Sequence, residues 1–289
     1  MKRLRWVLSS LCLFLLILTS AVSLATAADL PKEAPIYKVY ALHYGTMEGY
    51  DRSYLFNLGT PGEKMTLDWS FWVIVGNGRV VLVDTGFSDE RFVSKWGIKD
   101  WTRTDKLLPK IGLKPSQVTD IILTHAHWDH AGNIENFNPK ATIWIQKDEL
   151  EFAAGEAAQS NFGKIGLNRE DVLDLVNWNW DGRVKLIRGD KEIIPGIKCY
   201  LGGKHTYGFQ WVSVNTASGT VVLASDIVYM FENLETMTPI GTGQSSYEAY
   251  QALERIREVA SSLDLIVPGH DPKVYQKWPS PGNGVAEIR

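Results

Sequence analysis

Apolar residues in this chain come mostly in short runs bounded by glycine, asparagine or aspartate, a pattern that predicts strands rather than long helices. Residues 36–43 mix β-branched and aromatic side chains and read as a first strand. Residues 71–75 and 79–83 flank Gly76-Asn77-Gly78, a hairpin signal, and Asp84-Thr85-Gly86 closes the second run. Between the first strand and the run at 71–75, residues 45–68 carry Gly45, Gly49, Gly59, Pro61 and Gly62 with scattered aromatics, and they read as a long surface loop. Its Tyr50, Tyr54 and Phe56 make it the expected lid over a site.

Further strands are expected at 120–123, 142–146, 184–187, 197–201, 210–214, 220–224 and 265–267, with a turn at Ala217-Ser218-Gly219. Helical patterns fall at 105–111, at 147–154, and at 168–176 with Asn168 as cap. The clearest helix opens at Ser245, where Ser245 and Glu248 make a capping box. Its Ala249, Leu253, Ile256, Ala260 and Leu263 repeat at helical spacing, so one face packs on a sheet. No repeat, low-complexity block or Pro-rich linker interrupts the pattern, which predicts one α/β domain richer in strands than helices.

Two features change that picture at the N-terminus. Lys2, Arg3 and Arg5 precede an apolar stretch at 6–18, and Ala25-Thr26-Ala27 follows, so 1–27 read as a secretory signal peptide cleaved after Ala27. The expected mature domain is 28–289, exported to the periplasm or secreted, with no stable membrane anchor after cleavage. Removal of three basic residues takes Lys+Arg from 30 to 27 against 33 Asp+Glu, a net charge of −6. An acidic surface excludes nucleic acid and anionic membranes as natural partners. Cys199 is the one cysteine left, so neither a disulfide framework nor a four-cysteine zinc module can form.

The chemistry lies at the ends of the apolar runs. The run 120–123 leads into Thr124-His125-Ala126-His127-Trp128-Asp129-His130, and His205, Asp226 and His270 follow the ends of later runs. Imidazoles converging from separate strand ends suit a catalytic metal site. His125 and His127 are two apart, so both project to one side of an extended segment. Asp129 and His130 fall where the chain should turn into a helix near Ala131-Gly132 and point to a neighbouring position. Two ions fit this better than one. Asp226 can give one oxygen to each, and water held between them would ionise near neutral pH. His43, inside a strand without companions, reads as structural.

At these residues the chain resembles the metallo-β-lactamase superfamily. Asp84-Thr85-Gly86, the 124–132 block, Gly203-Lys204-His205-Thr206, Ser225-Asp226 and Pro268-Gly269-His270 occur in the family's order. The resemblance implies an αββα four-layer sandwich. It also implies two divalent metal ions, zinc expected although manganese, iron or cobalt suit the same donors. His125, His127 and His205 would hold one ion, Asp129, His130 and His270 the other, with Asp226 shared and Asp84 orienting a ligand histidine.

Because this fold hosts many reactions, function must come from the site. Residues 226–234 and Gly269-His270-Asp271 look like those of N-acyl homoserine lactone lactonases, quorum-quenching hydrolases in which a tyrosine three residues past the shared aspartate contacts substrate. Tyr229 occupies that place. The implied reaction opens a lactone ester: Tyr229 polarises the carbonyl, a metal-held hydroxide adds, and Asp129 or water protonates the leaving oxygen. No Gly-x-Ser-x-Gly elbow argues for a covalent route. Among the tryptophans, Trp128, Trp69, Trp72, Trp178 and Trp180 are candidates to line the pocket for a small lactone or ester, Trp128 foremost as a substrate-binding residue. A homodimer packed on the aromatic lid is the assembly to expect. Alternative substrates are organophosphate triesters and other esters, for an exported and promiscuous enzyme, or a β-lactam.

Overall fold

The computed structural model describes residues 35–278 and 282–289. The signal peptide expected over 1–27 lies outside the described residues. Among the described residues, twelve strands form two sheets. In chain order they are β1 (Lys38–Asp51), β2 (Lys64–Gly76), β3 (Arg79–Val83), β4 (Asp120–Ile122), β5 (Thr142–Gln146), β6 (Val184–Ile187), β7 (Lys191–Ile194), β8 (Ile197–Leu201), β9 (Gln210–Thr216), β10 (Gly219–Ser225), β11 (Ile266–Pro268) and β12 (Val285–Ile288). The first sheet runs β12-β1-β2-β3-β4-β5-β6 and the second β11-β10-β9-β8-β7. The pairs from β3 to β6 are parallel, as is β10 with β11, and the other pairs are antiparallel.

The layer order follows from which side chains each strand buries on each face. Trp72, Ile74, Val81 and Val83 of the first sheet pack against Ile197, Val212, Val214 and Leu223 of the second. The alternate positions Phe71, Val73, Val80 and Leu82 turn the other way, onto Leu150, Ala153, Val172 and Leu175 of the helices Lys147–Ala154 and Arg169–Trp180. On the far side, Tyr200, Trp211, Val222 and Ala224 meet Ala249, Leu253 and Ile256 of the helix Ser246–Val259. Three apolar layers therefore separate helix, sheet, sheet and helix, the expected αββα sandwich. Strands buried on both faces read as unbroken apolar runs, which is why the hydrophobic pattern located them.

Local expectations fare differently. The Ser245 hydroxyl accepts the Glu248 N–H, a cap that stabilises the helix by about 1 kcal/mol. That helix ends at Val259, and Leu263 belongs to a following 3-10 turn and is exposed. Asn168 sits at the N-cap of its helix without a capping side-chain hydrogen bond. The loop expected over 45–68 is mostly strand: β1 and β2 continue through it, their register broken between His43 and Gly45 and between Met47 and Tyr50, with one helical turn, Arg52–Leu55, at the tip. Bulges bend this long hairpin and place glycines inside it, which mimicked a loop signature. β7 and β12 are four-residue edge strands, each carrying charge within its short run, too brief to give a strand pattern, and they lay outside the expected set.

Candidate metal centre

The carboxyl ends of both sheets open onto one edge, and the site is built there. After β4 the chain runs through Leu123 and Thr124 to His125 and His127, and one helical turn, Trp128–Ala131, carries Asp129 and His130. The turn expected to begin near Ala131 ends there instead. The second sheet supplies His205 after β8, Asp226 after β10 and His270 after β11. All seven expected donors converge, in three overlapping groups whose ligand atoms lie within 4.8 Å of one another: His125, His127 and His205; His125, His130 and Asp226; Asp129, His130 and His270.

Asp226 divides its carboxylate between the two sides. Oδ1 is 3.2 Å from His130 Nε2 and 3.2 Å from His270 Nε2, while Oδ2 is 3.3 Å from His205 Nε2 and 3.9 Å from His125 Nε2. His127 Nδ1 faces both His125 Nε2 at 3.0 Å and His205 Nε2 at 3.2 Å.

Outer hydrogen bonds fix which nitrogen is free in three of the rings. Asp84 accepts the Thr124 N–H at 2.7 Å, the Thr124 hydroxyl at 2.8 Å and His130 Nδ1–H at 2.8 Å. With its proton committed to Asp84, the Thr124 oxygen accepts His125 Nδ1–H at 3.0 Å. His270 Nδ1–H donates to the Asp68 carbonyl at 3.2 Å. His125, His130 and His270 thus turn Nε2 lone pairs inward. His130 Nε2 is buried without a hydrogen-bond partner, as a cation ligand would be. Three residues at these strand ends, Asp84, Lys204 and Ser225, hold left-handed backbone with φ of 62°, 50° and 49°. Such strain costs about 1–3 kcal/mol each and clusters at functional sites.

Electrostatics agree with a cation-binding role. Burial, ahead of every other influence, holds His125, His127 and His205 below the ordinary imidazole range, His205 at about 3, so these rings are neutral donors at neutral pH. Burial pulls His130 the same way, but Asp226, Asp129 and Asp84 together outweigh it and raise this ring. Burial pushes Asp226 and Asp129 up, and the imidazoles, His130 first, reverse this and keep both ionised. A neutral triple-imidazole group beside a shared carboxylate fits a pair of divalent ions.

A cavity of about 510 Å³ opens over the donors. Tyr229 lines it, its hydroxyl 3.5 Å from His205 Nδ1 and 3.0 Å from Thr242 Oγ1. Burial, then Asp226, raises the phenol well above its ordinary pKa, so it keeps its proton. Trp128 touches the cavity but is mostly enclosed, stacked on Phe92 at 4.1 Å and edge-on to Phe87 at 4.9 Å. Tyr50, Tyr54 and Trp69 also line the cavity, whereas Phe56 and Trp72 are buried elsewhere and Trp180 is exposed to solvent. His43 stays outside the donor set, yet with Thr46 it borders the side chain of Asp68, the residue whose backbone carbonyl holds His270. Asp68, Thr242 and Glu149 escaped the sequence reading, because each acts through tertiary contacts that leave no local pattern.

A family model described as the metallo-beta-lactamase superfamily matches residues 70–270. An N-acyl homoserine lactonase of Bacillus cereus is 31% identical over 239 residues, 76% of this chain and 88% of that protein. The N-acyl homoserine lactonase AttM of Rhizobium radiobacter is 26% identical over 269 residues, 83% of this chain and 95% of that one. A solved N-acyl homoserine lactone hydrolase, with the product N-hexanoyl-L-homoserine bound at its catalytic metal center, is similar at a TM-score of 0.69 and 25% identity, covering 84% of this chain and 97% of that chain.

Proposed function

The chain belongs to the metallo-beta-lactamase superfamily, and on that premise we propose that it is a dinuclear metal-dependent hydrolase opening the lactone ring of N-acyl homoserine lactones or related lactones. His125, His127 and His205 would hold one divalent ion and Asp129, His130 and His270 the other, with Asp226 donating to both. Such ions, zinc being the expected species, would supply Lewis acidity and lower the pKa of water toward neutrality.

The chain's own residues do the rest. Tyr229, kept protonated, donates a hydrogen bond to the ester carbonyl oxygen as negative charge develops there. Water adds to the carbonyl carbon and the ring C–O bond breaks. Asp129, an ionised carboxylate at the cavity floor, takes the proton released by the water and returns it to the departing ring oxygen. The product is a hydroxy acid.

The observation that carries the substrate class is the lining of the cavity. Tyr50, Tyr54, Trp69, Trp96, Phe152 and Phe162 contribute to it, and among the described residues it contains no lysine or arginine. An uncharged, partly apolar substrate suits such a cavity, as the lactonase relatives suggest. A β-lactam carries a carboxylate that would find no cationic side chain there. A phosphotriester is also neutral, so a promiscuous esterase or organophosphate triesterase is the second reading. Export through 1–27 to the periplasm or medium, and a homodimer, belong to the same proposal; among the described residues no helix is long and apolar enough to cross a membrane.

The test is hydrolysis of short- and long-chain N-acyl homoserine lactones, a cephalosporin reporter and an aryl phosphotriester by metal-loaded protein 28–289, with Asp226→Ala as control. Preferential lactone turnover lost in the control is expected. Turnover of the phosphotriester or cephalosporin alone would discard the lactone reading.

A further inference from the structure

Glu149 lies in the first turn of the helix Lys147–Ala154, outside the expected donor set, and is only 2% exposed. Its Oε1 accepts the Ala126 N–H at 2.9 Å and its Oε2 accepts the Gly208 N–H at 2.7 Å. Ala126 stands between His125 and His127, and Gly208 stands three residues after His205. One carboxylate therefore ties the backbones of the two segments that deliver all three imidazoles of one donor group, one segment from each sheet.

The surroundings make this tie stiff. A Cβ at position 208 would fall 2.3 Å from the Glu149 backbone nitrogen, so only glycine allows the second segment to approach the helix this closely. One turn along the same helix, Phe152 stacks on Tyr207 with ring centroids 4.8 Å apart, and Lys204 Nζ donates to the Tyr207 carbonyl at 2.8 Å. By contrast, Asp129, His130 and His270 are held through Tyr44, Asp84 and Asp68, none of which bonds to Glu149.

We propose that Glu149 is a positioning residue that sets the spacing of the His125, His127 and His205 donors, so that one of two bound cations depends on it and the other does not. The proposal rests on reading these histidines as cation ligands. It is tested by stripping the mature chain with a chelator and titrating Zn²⁺ against a chromogenic competitor, for wild type, Glu149→Ala, Glu149→Gln and His205→Ala.

Wild type should bind two equivalents. Glu149→Ala should keep one at wild-type affinity and lose about ten- to a hundredfold at the other, the usual cost of removing a group that orients ligands. Glu149→Gln retains one carbonyl acceptor and should fall between, and it guards against misfolding of the alanine variant. His205→Ala should weaken the same equivalent. Two tight equivalents in Glu149→Ala, or equal weakening of both in the two Glu149 variants, would overturn the proposal alone. Wild type that takes up no zinc would overturn the ligand reading as well.

Discussion

Asp171 offers a test of the electrostatic reasoning away from the donors. It lies in the first turn of the helix Arg169–Trp180, and its Oδ2 is buried with no hydrogen-bond partner, facing the backbone at Gly132. Burial first, then Glu135, Asp174 and Glu170, raise its pKa from the ordinary 3.8 to about 7. The sign follows directly. Between these values the unfolded chain has lost the proton and the folded chain keeps it, so stability falls as pH rises through the window and levels off above pH 7. At 1.36 kcal/mol per unit, the penalty at pH 8 is about 4 kcal/mol as an upper bound and at pH 5 about 1.5 kcal/mol. Asp171→Asn removes the titration while keeping shape. Any unpaired amide adds a constant cost that does not vary with pH. Urea unfolding at pH 5, 6.5 and 8 should therefore show the variant gaining about 2–3 kcal/mol on wild type between the extremes. A difference that stays flat across that range would refute the assignment of a buried, protonated carboxyl.

Three further outcomes are expected. Tyr229→Phe should lower kcat by about 10²-fold while both cations still bind, since removal of one oxyanion donor costs on that order; loss of bound metal, measured by mass spectrometry, would move the phenol from chemistry to structure. Asp226→Ala removes the oxygen pair that faces both donor groups and should reduce the bound metal from two equivalents to one or none. Gly166→Ala would put a methyl 2.4 Å from His127 Cδ2 at a backbone φ of 81°, and should cost about 1–3 kcal/mol of stability together with most of the activity; wild-type Tm and turnover would contradict the packing described.

Most of the site was legible because its donors follow apolar runs, and a run that ends in His-x-His or Ser-Asp fixes direction as well as identity. Asp84 was visible for the same reason, at the end of β3. Glu149 and Asp68 were not: a glutamate in a first helical turn and an aspartate before a tryptophan have ordinary local roles, and only folding brings their oxygens to Gly208, Ala126 and His270. The hairpin of β1 and β2 was hidden by its own bulges. Trp128 shows the limit of residue type, since an indole inside a ligand motif is mostly packed among Phe87, Phe92 and Trp69.

The donors are shared between two plates. Four reach the site from the segment after β4 in the first sheet, and three from segments following strands of the second. Their relative positions are set by how the sheets seat on each other through Trp72, Ile74, Val212 and Val214, well inside the sandwich. A lateral slide of an ångström at that seam would pull the Asp226 oxygens off the imidazoles they face. Packing in the deepest layer is thus a calibration of the site, and a methylene removed there should register as altered cation affinity before it registers as unfolding.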